Sequence, residues 1–211
     1  MAFVLGLHGN ETVNLAIRQE HVHHNDIIQG DFVDHYNNMT LKSLLDLKVA
    51  DTHCQGVPYA LKSDDDTIIN LPYLLHILVT EPMQRSFMGA YNPDSRVNRG
   101  GVWKLTLEEF PFAVLPPYES GAAYVITGDL IHELFVTAEY VPHIYIDDVY
   151  VTGILGRILR VTHVERDGFA YWGSKNATAC NMIRRRIITG TNIHSQQLRV
   201  LWNDIKFNVI C

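Results

Sequence analysis

The chain has 211 residues, of which 47% are hydrophobic and 19% charged, and its formal net charge is -6 with histidine neutral. That length suits one domain, here read as 1–211, and the composition excludes a disordered chain or a coiled coil. Basic residues cluster only at Arg184, Arg185 and Arg186, so nucleic acid is not an expected partner.

In chain order, a buried strand is predicted over 3–7 and a helix over 12–24 with Val13, Ala16 and Ile17 on one face. A short extended segment over 26–28 precedes a helix over 40–49, which Thr40 can cap. A strand over 57–61 and a helix over 71–80 follow, the latter with Pro72 in its first turn. Residues 87–91 and 103–107 read as extended, and Pro111, Pro116 and Pro117 break regular structure between them and the next strand at 123–127. Helices are predicted over 128–140, 148–158 and 195–206, the last with Leu198, Leu201, Trp202 and Ile205 facing inward. This alternation of strands and helices predicts an α/β/α sandwich with a mostly parallel central sheet.

No apolar run could span a bilayer: the longest, 71–79, is interrupted by His76. Residues 1–10 lack the pattern of a signal peptide. Sequons at Asn10, Asn38 and Asn176 point mildly towards the secretory route. Cys54, Cys180 and Cys211 leave at least one thiol without a partner inside the chain; Cys54 with Cys180 is one candidate pair, which spacing alone does not establish.

Chemistry is suggested by Lys62-Ser63-Asp64-Asp65-Asp66 at the end of a strand. Three adjacent like charges repel unless a cation sits among them. On an extended backbone Asp64 and Asp66 project to one side and Asp65 to the other, so the outer pair can face one hard metal ion. A solvated acidic turn is the competing reading. An EF-hand counted from Asp64 fails, because Ile69 and Leu75 stand where Gly and Glu are required.

A second acidic pair, Asp147-Asp148, starts a predicted helix. It suits a helix cap, with Asp147 as N-cap, and equally a general base held at a helix start. Between the two lies the stiff segment Pro116-Pro117-Tyr118-Glu119-Ser120-Gly121, in which Gly121 allows an unusual backbone conformation or a close approach. His21, His23 and His24 have no ligand spacing and read as a solvated helix end.

Taken in order, these motifs resemble the β1,3-galactosyltransferase family, which includes β1,3-N-acetylglucosaminyltransferases. Phe3-Val4-Leu5-Gly6, Glu20, the run from Asp26 to Lys42 and Trp202-Asn203-Asp204 join the segments already quoted in carrying that resemblance. It implies a nucleotide-sugar transferase fold of the GT-A type, a UDP-galactose or UDP-N-acetylglucosamine donor, a glycan acceptor and an inverting mechanism. It also implies Mn2+ (or Mg2+) as cofactor and a type II membrane protein of the Golgi lumen, acting in protein or lipid glycosylation. By the same resemblance Lys62, Asp64, Asp65 and Asp66 bind the donor and its metal, with Asp64 and Asp66 as ligands. Asp148 becomes the catalytic base, and Asp147, Tyr118, Glu119, Ser120 and Gly121 the substrate-binding residues. Three features differ from the family pattern. The anchor and first strand expected before Phe3 are absent from this sequence, Asp147 stands in place of Glu, and Thr191 stands where a metal-ligating His is expected. They motivate an alternative: a catalytically inactive paralogue that binds glycans or partner proteins.

Overall fold

The computed structural model of the chain describes residues 1–171, 177–207 and 210–211. The chain opens with β1 (Phe3–Leu7), α1 (Glu11–His24), β2 (Ile27–Val33) and α2 (Met39–His53). It continues through β3 (Tyr59–Ser63), β4 (Ile68–Ile69), α3 (Leu71–Thr80) and β5 (Ser86–Asn92). After a long loop come β6 (Tyr118–Thr127), α4 (Ile131–Ala138) and a π-helix, Val149–Leu155, that runs into α5 (Gly156–Ile158). Then follow β7 (Thr162–Glu165), α6 (Ala179–Ile183), β8 (Thr189–Gly190) and α7 (Ser195–Lys206).

The largest sheet has the order β3-β6-β5-β7. β6 is antiparallel to both β3 and β5, and only β7 runs parallel to β5. The expectation of a mostly parallel central sheet is therefore corrected: the sheet is mixed. The reason lies in the connections. Parallel neighbours need a long crossover, and helices supply one between β1 and β2 and between β5 and β7. The loop from β5 to β6 instead returns the chain in the opposite direction.

Helices cover both faces of this sheet. Phe87 on β5 packs with Tyr124, Ile126, Leu134, Tyr150 and Leu155, while its neighbour Met88 packs with Val125 and the α3 residues Leu74, Ile77 and Leu78. Adjacent strand residues thus feed opposite layers, as the pleat requires. Asn70 caps α3 by accepting from the Tyr73 amide at 3.3 Å, and Pro72 occupies the first turn without losing a bond.

Several local expectations are revised. Residues 103–107 form no strand; the Arg99 guanidinium donates to the carbonyls of Leu105, Thr106, Phe110 and Phe112, so these loop oxygens are satisfied without a neighbouring strand. On α1, Val13 and Ala16 are exposed and Asn14 faces inward, bonded to both backbone groups of His8. Thr40 does not cap α2 but donates to the Ile144 carbonyl at 2.6 Å. Trp202 on α7 is 58% exposed. The disulfide joins Cys180 to Cys211, not to Cys54, which is exposed and unpaired. The sequon at Asn176 lies outside the described residues.

Candidate active site

β3 ends at Ser63, and the chain then turns through Asp64 to Asp66 into β4. Asp64 and Asp66 are half-buried and Asp65 is exposed; Asp65 and Asp66 lie in a turn, so the expected extended backbone does not continue through the acidic run. Lys62 on β3 is the hub of the site. Its ammonium donates to Asp64 Oδ1 and to the Gly121 carbonyl, both at 2.6 Å, and lies 3.7 Å from Asp147 Oδ2. Burial works against the charge on Lys62, but the carboxylates of Asp147 and Asp64 outweigh it and hold the ammonium above its ordinary pKa.

From α2, Ser43 donates to Asp147 Oδ2 at 2.7 Å, and Asp46 shares this acidic surrounding. Burial pushes the Asp46 carboxyl up to about 6, against the attraction of Lys62, and burial likewise raises Asp64. Neither Ser43 nor Asp46 was predicted from sequence. Polar residues at 40, 43 and 46, one helical face that also carries buried Leu47, were the signal.

Asp148, not Asp147, is the N-cap of the π-helix. Its Oδ1 accepts from the Val149 amide at 2.7 Å and its Oδ2 from the Gly121 amide at 2.8 Å. Burial, reinforced by neighbouring Asp147, raises its carboxyl to about 7. A Cβ on Gly121 would lie 3.1 Å from Asp148 Oδ2. A side chain at this position would crowd the carboxylate, which would have to give by a few tenths of an ångström.

The rest of the predicted substrate loop divides. Tyr118 is half-buried, and burial lifts its hydroxyl above the usual tyrosine range. Ser120 is buried and donates to the Tyr171 carbonyl at 3.3 Å. Glu119 has no exposure at all, and its carboxyl lies 3.0 Å from His163 Nδ1. Its side chain is thus turned into the protein and does not face a ligand.

Asp66 presents Oδ1 to the Thr67 and Thr191 hydroxyls, at 3.3 and 3.4 Å. The pairing of β4 with β8 fixes this register, so Thr191 and not exposed His194 stands beside Asp66. Among the described residues no group of three or more His, Cys, Asp or Glu side chains is arranged to hold a metal ion.

A family model, described as galactosyltransferase, matches residues 1–167. The chain belongs to the galactosyltransferase family. Among its curated relatives are beta-1,3-galactosyltransferase 1 of Mus musculus and of Homo sapiens, each 30% identical over 213 residues. UDP-GalNAc:beta-1,3-N-acetylgalactosaminyltransferase 1 of Mus musculus is 31% identical over 207 residues. Each alignment covers 96% of this chain and 62% of the relative, so the chain spans less than two thirds of the length of these proteins. The matched region contains Lys62, both acidic segments and the loop between them.

Proposed function

We propose that the chain is the catalytic part of an inverting β1,3-hexosyltransferase that moves galactose or N-acetylglucosamine from a UDP-sugar to a hydroxyl of a glycan. The observation that carries this reading is Asp148: its carboxylate is fixed by two backbone amides and raised to about 7, beside the Lys62 charge cluster. A base poised near neutrality suits removal of a proton from a sugar hydroxyl. In the reaction, the acceptor oxygen forms its bond to the anomeric carbon, the bond from that carbon to the diphosphate breaks on the opposite face, and the proton passes to Asp148. Lys62 and Gly121 keep the two acidic segments in register during that exchange.

Asp64 and Asp66 suit a hard ion such as Mn2+ or Mg2+ that takes its remaining ligands from diphosphate and water. Such an ion would offset the charge on the departing UDP. Thr191 leaves the set without an imidazole, which weights binding towards the carboxylates and the donor itself. The relative named for UDP-GalNAc adds N-acetylgalactosamine to the donors to be tried. The corresponding architecture is a GT-A fold, and the corresponding compartment is the Golgi lumen. An anchor would be a separate segment, since no helix among the described residues is long and apolar enough to cross a membrane.

Calorimetric titration of UDP-galactose, UDP-N-acetylglucosamine and UDP-N-acetylgalactosamine, with Mn2+ and again with chelator, tests the donor site. Binding that needs the ion and disappears in Asp66→Ala is expected. Equal binding with chelator by the folded protein would remove the metal from this reading, and no binding of any donor would favour the non-catalytic alternative.

A further inference from the structure

Glu119 is a fully buried carboxyl with an unusual surrounding. One oxygen is hydrogen-bonded to His163 Nδ1 at 3.0 Å, and Oε2 has no hydrogen-bond partner among the described residues. The histidine ring is held between Phe87 and Tyr91 of β5, with ring centres 5.7 and 5.0 Å away. Glu165 of β7 is the other charged group acting on this carboxyl, and Tyr91 the other titratable group against the imidazole. A buried carboxyl with an orphan oxygen is destabilising compared with an apolar side chain of the same size. Packing therefore gives no reason for its presence.

Its place in the chain gives one. The Glu119 amide donates to Thr152 Oγ1 at 2.9 Å, and that hydroxyl donates to the Asp148 carbonyl at 2.6 Å. Two residues further along β6, the Gly121 amide holds the Asp148 carboxylate at 2.8 Å. Both the backbone and the side chain of Asp148 are thus tied to the strand segment that Glu119 begins. A shift of that segment moves both ties together.

We propose that the buried Glu119–His163 pair is a positioning device: it ties the start of β6 to β7 across the intervening β5 and so fixes Asp148 for proton removal. The inference rests on the reading of Asp148 as the base, and extends it to two residues that touch no substrate. Misplacing a reacting group by a fraction of an ångström lowers turnover without weakening donor binding.

The test compares Glu119→Leu, Glu119→Gln and the double variant Glu119→Leu/His163→Leu by transfer kinetics, UDP-galactose affinity, Tm and the NMR resonance of the Gly121 amide. Leu alone is expected to lower kcat by roughly tenfold or more with donor Kd within about twofold, and to shift the Gly121 resonance. Gln, which keeps an acceptor for His163, brings both readouts back towards wild type. The double variant, free of any unpaired buried polar group, recovers Tm but neither kcat nor the resonance. A double variant that turns over like wild type with an unmoved Gly121 amide would overturn the proposal, since the pair would then only fill space. Should Leu alone fail to fold, the double variant still decides. Absence of transfer by the wild-type protein would instead sink the functional reading, and the Gly121 resonance in the same variants would still decide the positioning role.

Discussion

Asp148 carries opposing demands. Its two amide donors favour the ionised form, while burial and the neighbouring Asp147 oppose it, and the balance places the carboxyl at about 7. In the base role proposed for it Asp148 must be ionised, so the transfer rate should rise with pH through about 7, and Asp148→Asn should abolish that limb together with at least about 99% of turnover. Stability runs the other way. The folded pKa is raised above that of an unfolded aspartate, so this group's contribution is fully present in acid and is lost as pH rises through the folded value. Calorimetric Tm values measured from pH 4 to pH 8 should therefore move in favour of Asp148→Asn relative to wild type, by roughly 1–3 kcal/mol across that window. A constant difference would mean that the carboxyl titrates normally. Gly121 belongs to the same argument. Its substitution by alanine puts a methyl against Asp148 Oδ2, and we expect at least about tenfold loss of kcat with a stability cost of roughly 1–2 kcal/mol.

At the scale of elements, the acidic turn, β6, the π-helix and α2 each bring one part of the site, and Lys62 joins them. The outer elements are held differently. α6, the segment after β8 and α7 share a small cluster of Ala179, Ile193 and Leu201, with the Cys180–Cys211 disulfide closing a separation of 31 residues. Their link to the acidic turn is the β4–β8 pairing and the bond from the Ile193 amide to the Asp66 carbonyl at 3.0 Å. Replacing both cysteines by serine should cost about 2–4 kcal/mol of stability. Because β8 sets Thr191 against Asp66, the same change should weaken metal-dependent donor binding more than it alters the central sheet, which calorimetry and far-UV dichroism on one sample would separate.

In the whole molecule, the mixed sheet is covered by helices on both faces, while α1 and the β1–β2 pair stand to one side with little buried apolar surface. Phe3, Val13, Leu15 and Val33 are all exposed. Native-state hydrogen exchange should therefore show α1 amides opening with a free energy well below that of β6, by about 2 kcal/mol or more. Equal protection in the two would mean that α1 is held by contacts its burial does not reveal.

Much of this organisation was legible from residues alone. The 71–80 and 195–206 helices follow from their apolar spacing, the first with Pro72 in its opening turn, and the order of motifs from Lys62 to Asp148 pointed to the galactosyltransferase family, which the match over residues 1–167 shows. Asp64 and Asp66 are half-buried and Asp65 exposed, the order that local pattern suggested, but a turn at Asp65 and Asp66 produces it and not the extended backbone expected there. What the sequence could not give depends on partners far apart in the chain. Ser43 reaches Asp147 across 104 residues, Glu119 turns inward because His163 is there to meet it, and Cys180 closes with Cys211 and not Cys54. Strand direction belongs to the same class, since β6 is antiparallel to both neighbours only because its connections bring it back that way. The order of motifs along the chain determined the family to which this protein belongs; the tertiary structure decided which carboxylate is held by two amides, because charge, burial and backbone donors act through space and not along the sequence.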